Sequence, residues 1–208
     1  MSYASAAPSG CSRGIPGTDE SYTDNGGAFP PMHEPVHEQV DNAKYYIDMA
    51  LRLGADDAVA FKIEDIEFDP RTILKCSFGC ADWGKGLTCP SRPNSLRPWE
   101  YEKILKRYRW GIIIHSTDKR VSQDISFQIE REAFLKGHYF AFSLSDCALC
   151  TTCCGFVGAE CAHPKQARPA FHSVGIDVFK TVRKFGLPID TLKDKDETPN
   201  WYSAVFIE

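Results

Sequence analysis

The segment Tyr139-Phe140-Ala141-Phe142-Ser143-Leu144-Ser145-Asp146-Cys147-Ala148-Leu149-Cys150-Thr151-Thr152-Cys153-Cys154 joins two kinds of sequence. Residues 139–144 are aromatic and apolar enough to predict a strand packed into a core. Residues 147–153 form a C-x2-C-x2-C run, the spacing of bacterial ferredoxin-type iron–sulfur sites. With two residues between cysteines, a tight turn aims successive sulfurs and backbone N–H groups at one cubane, so the loop both ligates iron and donates hydrogen bonds. Cys161, with Pro164 three residues on, completes the usual set of four.

A second group lies upstream, Cys76-x3-Cys80-x8-Cys89. A short strand over 71–74 is expected to lead into it, and Gly79, Gly84 and Gly86 allow the loop to turn sharply or approach a ligand. Eight of the nine cysteines therefore fall in two groups, and Cys11 stands alone. Disulfides explain this poorly: the count is odd, and Met1-Ser2-Tyr3-Ala4 lacks the basic start and apolar run of a secretory signal. Zinc is the stronger alternative, since C-x2-C is half of a common four-cysteine site. Three cysteines at successive x2 spacing nevertheless suit a cubane better than a single tetrahedral ion, whereas the first group leaves iron–sulfur and zinc both open.

The ligand candidates are Cys76, Cys80, Cys89, Cys147, Cys150, Cys153 and Cys161, with Cys154 as a weak eighth because adjacent side chains diverge. Two divisions stay open. Cys147, Cys150, Cys153 and Cys161 close one [4Fe-4S] cluster and the first group holds a second with one open iron, or Cys161 crosses to the first group and Cys154 replaces it.

Outward from these loops, apolar residues recur at helical spacing over 36–53 (Val40, Ala43, Tyr46, Ile47, Ala50) and alternate over 57–68. A helix over 99–107 precedes an apolar strand over 110–115; another helix spans 122–136, a last one 171–185, and a strand 201–207 closes the chain. The expected fold class is α+β, with α/β-like alternation: one mixed β-sheet packed against helices, with cysteine-rich metal-binding loops at strand ends. Residues 36–208 form a single cysteine-rich domain. Residues 1–35, rich in Ser, Gly, Pro and Asp, read as a disordered or partner-binding tail, and Cys11 within it as a solvent-exposed thiol.

Composition, 43% apolar and 25% charged with a formal net charge of -4, predicts a soluble cytoplasmic protein with no membrane span. Lys103, Lys106, Arg107 and Arg109 read as a solvated helix face, so no nucleic-acid partner is expected. His33-Glu34-Pro35-Val36-His37 matches H-E-x-x-H, but Pro35 is incompatible with the continuous helix a zincin needs. His115 and His138 read as structural, and Trp83 as a shield against water.

The set of motifs resembles a family of predicted metal-binding proteins, domain of unknown function 2284, found mostly in anaerobic bacteria and archaea. The likeness covers roughly 55–185. It runs from Cys76-x3-Cys80, Trp83-Gly84 and Cys89-Pro90, through Glu132-Ala133-Phe134, Gly137 and Ala141-Phe142, to Cys147-x2-Cys150-x2-Cys153, Cys161-x2-Pro164, Arg168-Pro169 and Gly175-Ile176-Asp177-Val178. The family pattern has Cys-Pro-Pro where this chain has Cys89-Pro90-Ser91, and Arg-Pro-Ser with a nearby glutamate where it has Arg168-Pro169-Ala170 and His172. The resemblance implies metal binding, not a reaction.

No acid–base or nucleophile constellation stands out. The first expectation is therefore electron transfer by one or two [4Fe-4S] clusters to or from a partner oxidoreductase, an accessory role rather than a stand-alone enzyme. The second is an enzyme or cluster-delivery factor with an open position on the three-cysteine site, with Asp82, Lys85, His163 and Arg168 as nearby polar groups. The third is a zinc-stabilised interaction module. Radical S-adenosylmethionine chemistry is disfavoured, because it typically uses C-x3-C-x2-C.

Overall fold

The computed structural model describes residues 36–208. The tail, Cys11 and His33-Glu34-Pro35 lie outside the described residues. The architecture is α+β: a four-stranded sheet with helices on both faces. Its strands are β1 (Asp57–Lys62), β2 (Trp110–Ser116), β3 (Phe142–Leu144) and β4 (Trp201–Phe206), in the order β1-β2-β4-β3. The helices are α1 (Val36–Arg52), α2 (Thr72–Gly79), α3 (Pro98–Leu105), α4 (Lys119–Leu135) and α5 (Val178–Arg183).

Alternation of side chains sorts the core into two layers. Ile112 and Ile114 of β2 and Val205 of β4 pack against Tyr46 and Ala50 of α1 and Ile125, Ile129 and Ala133 of α4. Ile113 and the residues Tyr202, Ala204 and Phe206 face the other way, against Leu105, Phe171, Val174, Ile176 and Val182. Because β2 is central and covered on both sides, all seven of its residues are buried, which explains the near-continuous apolar run. Each fully buried isoleucine contributes on the order of 2 kcal/mol.

Every paired strand is antiparallel, so the sheet is not the mixed one expected. Pairing of Lys62 with Trp110 shows that the long connection through α2 and α3 returns the chain to the same end of the sheet. The unit β2–α4–β3 is a crossover between strands that run the same way. β4 lies between them, so no parallel pair forms.

Other boundaries also differ from expectation, and β1 ends at Lys62, where a short turn over Ile63–Asp65 follows instead of alternation to residue 68. Residues 71–74 lead into and form the start of α2 rather than a strand: Asp69-Pro70 turns the chain, the Thr72, Ile73 and Leu74 amides donate to Asp69, Pro70 and Arg71 carbonyls, and Leu74 is exposed instead of packed. The expected helix over 171–185 is interrupted at Gly175, whose φ of +90° disfavours other residues, and Asp177 then caps α5 by accepting the Lys180 amide at 3.0 Å. The strand over 139–144 shortens to Phe142–Leu144, because the Ala141 amide bonds back to the His138 carbonyl in a turn. Among the described residues no helix is long and apolar enough to cross a membrane.

Candidate metal centre

Two features of the fold bring the cysteine groups together. β3 ends beside the N-terminus of α4 and releases the second group there, with the Ser145 amide donating to the Pro169 carbonyl at 2.9 Å. The first group arrives on α2, whose lead-in is tied to the segment beyond the second group. Phe68 bridges Ile176, the Asp69 amide donates to the Gly175 carbonyl at 2.7 Å, and the Asp177 amide donates to the Glu67 carbonyl at 2.8 Å.

α4 holds the second loop through both polar groups of one residue, Ala148. The Ala148 amide donates to Oε1 of Gln123 at 2.6 Å, and Arg120 donates to the Ala148 carbonyl at 3.1 Å. The loop pair closes at Gly155. A Cβ there would lie 2.2 Å from the Lys85 carbonyl oxygen and 2.9 Å from Leu87, so only glycine lets the first loop pack against the second.

One cavity of about 240 Å³ results, and all eight clustered cysteines line it. Seven are free thiols: Cys76, Cys80, Cys89, Cys147, Cys150, Cys153 and Cys161. Cys76 is buried on α2, Cys80 is exposed just past that helix, and the other five are half-buried. Cys154 is buried and disulfide-bonded, and a sulfur so bonded offers no thiolate. The cysteines surround the cavity rather than meeting at a point. Among the described residues no group of three or more His, Cys, Asp or Glu side chains is gathered closely enough to hold a single ion.

Electrostatics divides the free thiols into two sets. Burial pushes the Cys76 thiol up to about 11, and Cys89, Cys80 and Asp146 add to the rise. The Cys150 thiol is raised by burial and by Cys147, Cys153 and Cys161, while Arg120 opposes. Cys161 thus lies near enough to the second group to perturb Cys150. Asp146, beside Cys147, reaches Cys76 and links the two sets.

Of the polar candidates, Asp82 and His163 line the cavity, but Lys85 and Arg168 do not. Lys85 folds back on its own loop and donates to the Ala81 carbonyl at 2.8 Å. Arg168 pairs with Glu130, to which its Nε donates at 2.9 Å, and its guanidinium lies over the rings of Phe127 and Phe142. Glu130 also accepts from the Ser143 amide and hydroxyl at 2.7 and 2.6 Å. Arg168 is therefore a brace between α4, β3 and the stretch after Cys161, not a group facing the cavity. Trp83 is half-buried outside the lining, and Leu87, Leu149 and Phe156 supply the apolar wall. His115 is buried between Asp57 and Asn200, in keeping with a structural role.

Lys119, Asp146 and His172 also line the cavity, and none of them is among the polar groups expected there from the sequence. Asp146 has a local signal, its place next to Cys147. Lys119 has none, because it reaches the site as the first residue of α4, where its ammonium also lies 5.0 Å from the Trp201 ring centre.

No curated protein and no solved structure matches the chain. The profile of the family described as "Predicted metal-binding protein (DUF2284)" matches residues 59–207, a span that takes in both cysteine groups and the closing strand, and the chain belongs to that family.

Proposed function

We propose that the chain is an iron–sulfur protein that transfers electrons to or from a partner oxidoreductase. The observation that carries this reading is the single cavity lined by seven free cysteines drawn from two loops. The donor set fits the group. A lone tetrahedral ion takes four ligands at about 2.3 Å, and seven thiols around one space exceed what it can use. Burying Cys76 beside other sulfurs is unfavourable for its thiolate, and a cationic centre would offset that cost.

In this reading Cys147, Cys150, Cys153 and Cys161 hold one [4Fe-4S] cluster, and Cys76, Cys80 and Cys89 hold a second with one iron position left to another ligand. A cubane of this kind, when bound, accepts and releases single electrons. The protein's part is to orient the sulfurs, which Gln123 and Arg120 do through Ala148, and to exclude water, which Leu87 and Leu149 do. Lys119 contributes a positive charge to a site dense in thiolates.

One observation favours a second reading, an enzyme or cluster-delivery factor. The three-cysteine set shares its cavity with Asp82, His163 and His172, and Cys80 is exposed. An open metal position beside such groups suits substrate binding.

The test is iron, zinc and acid-labile sulfide on protein purified without oxygen, with electron paramagnetic resonance before and after dithionite. About eight irons and eight sulfides with reducible cubane signals are expected. Stoichiometric zinc without sulfide would replace electron transfer by a zinc-stabilised interaction module. A substrate-induced change confined to one cluster's spectrum would favour the second reading.

A further inference from the structure

The hydroxyl of Ser91 lies 2.9 Å from the sulfur of Cys89, to which it donates, and its oxygen accepts the Gly84 amide at 2.8 Å. A serine hydroxyl has one proton and two lone pairs. With the Gly84 N–H on one lone pair, the hydroxyl is both oriented and polarised, so its proton is directed at the sulfur and the two bonds reinforce each other. Among the hydrogen bonds described for the free cysteines, one other reaches a sulfur. It comes from the His163 amide to Cys161 at 3.4 Å, and a backbone amide so placed belongs to the turn itself. The Ser91 bond is different in kind, because a side chain makes it and a single atom can remove it.

We propose that Ser91 is a positioning and tuning residue of the first cysteine set, setting the reduction potential of the group held by Cys89 through its hydrogen bond to that sulfur. The inference rests on the iron–sulfur reading. Reduction adds negative charge that is shared with the ligand sulfurs. A donor to one of them stabilises the reduced state more than the oxidised state and raises the potential. The Gly84–Ser91 bond also joins the two limbs of the loop, the turn after Cys80 and the stretch after Cys89, so the same side chain holds Cys89 in place.

The experiment compares the full chain with Ser91→Ala and Ser91→Thr, all purified without oxygen. It measures iron and acid-labile sulfide, and the midpoint potential of each paramagnetic signal. Ser91→Ala is expected to keep wild-type iron and sulfide while one signal, that of the first set, shifts to lower potential. Ser91→Thr, which keeps the hydroxyl, should restore the wild-type potential. Unchanged potentials in fully loaded Ser91→Ala would overturn the inference and leave the iron–sulfur reading intact. Loss of iron in both variants would also overturn it, reducing Ser91 to a packing role. Wild-type protein without sulfide would instead remove the reading itself, and the inference with it.

Discussion

The two cysteine groups share a cavity but are supported differently. The second group follows a sheet strand, and α4 grips Ala148 at both its amide and its carbonyl through Gln123 and Arg120. The first group begins on a short helix and then enters a loop whose approach to the second depends on the absence of a side chain at Gly155. Exposure is uneven in the first group, where Cys80 is exposed and Cys76 buried, whereas Cys147, Cys150, Cys153 and Cys161 are all half-buried. One half of the site is therefore held to the core and the other is docked onto it. Under the proposed iron–sulfur reading, an exchangeable position would fall on the docked half and the electron-carrying cluster on the held half.

Removing a sulfur from the held half should have the largest effect. On the iron–sulfur reading, Cys150→Ser is expected to abolish the second cluster and lower stability, because three thiolates and a weak hydroxyl ligand cannot close the set. Iron and sulfide content together with thermal unfolding would measure this; wild-type iron in Cys150→Ser would sink the assignment.

Arg168→Ala attacks the support rather than the ligands. Glu130 and Arg168 are each mostly buried, so removal leaves Glu130 without its cation and removes the planar group between Phe127 and Phe142. A loss of about 3 kcal/mol is expected by denaturant unfolding of the metal-free chain. Arg168→Lys should recover only part of it, because a lysine cannot reproduce the forked contact. An effect below about 1 kcal/mol would mean that the pair is solvated and the held half owes its rigidity to something else.

Gly155→Ala tests the docked half. The added methyl would meet the Lys85 carbonyl, and the first loop must move away at an expected cost of about 2 kcal/mol. The sharper expectation is selective: metal is lost from the first set while the second keeps its full iron content. Loss from both sets in equal measure would show that the two halves are one cooperative unit and erase the distinction.

Much of this is legible in the sequence, for identifiable reasons. The buried strand Trp110–Ser116 and the amphipathic helices α1 and α4 declare themselves through periodicity, and the cysteine spacing marks the ligand candidates without help from tertiary structure. Features set by distant partners are not legible in the same way. The helical state of residues 72–79 depends on the Asp69-Pro70 turn and on the bridge from Phe68 to Ile176, not on local alternation. The antiparallel sheet depends on β4, the last strand, inserting between β2 and β3. Arg168 suggests cavity chemistry because it is close to Cys161 in sequence, but its role is decided by Glu130, a residue on α4. Proximity along the chain gathers the cysteines well and their polar neighbours poorly, since the cysteines are grouped in sequence whereas the neighbours are brought in by the fold.

The smallest expected effect is also the finest probe of the held half. Gln123 is buried, its oxygen accepts the Ala148 amide, and its Nε2 has no hydrogen-bond partner among the described residues. Gln123→Leu thus makes two opposing changes. It strands the Ala148 amide, which costs about 1–3 kcal/mol, and it removes an unpaired buried amide nitrogen, which returns part of that cost. The net should be about 1 kcal/mol, a fall of roughly 2–4 °C in Tm for a domain of this size. Yet Ala148 sits between Cys147 and Cys150, so the loop should lose its register out of proportion to the lost stability. The expected signature is a broadened or shifted resonance from the second cluster with the first unchanged. If Gln123→Leu lowers Tm and leaves both signals as they were, Arg120 alone holds the loop, and the double grip on Ala148 is not what distinguishes this half of the site.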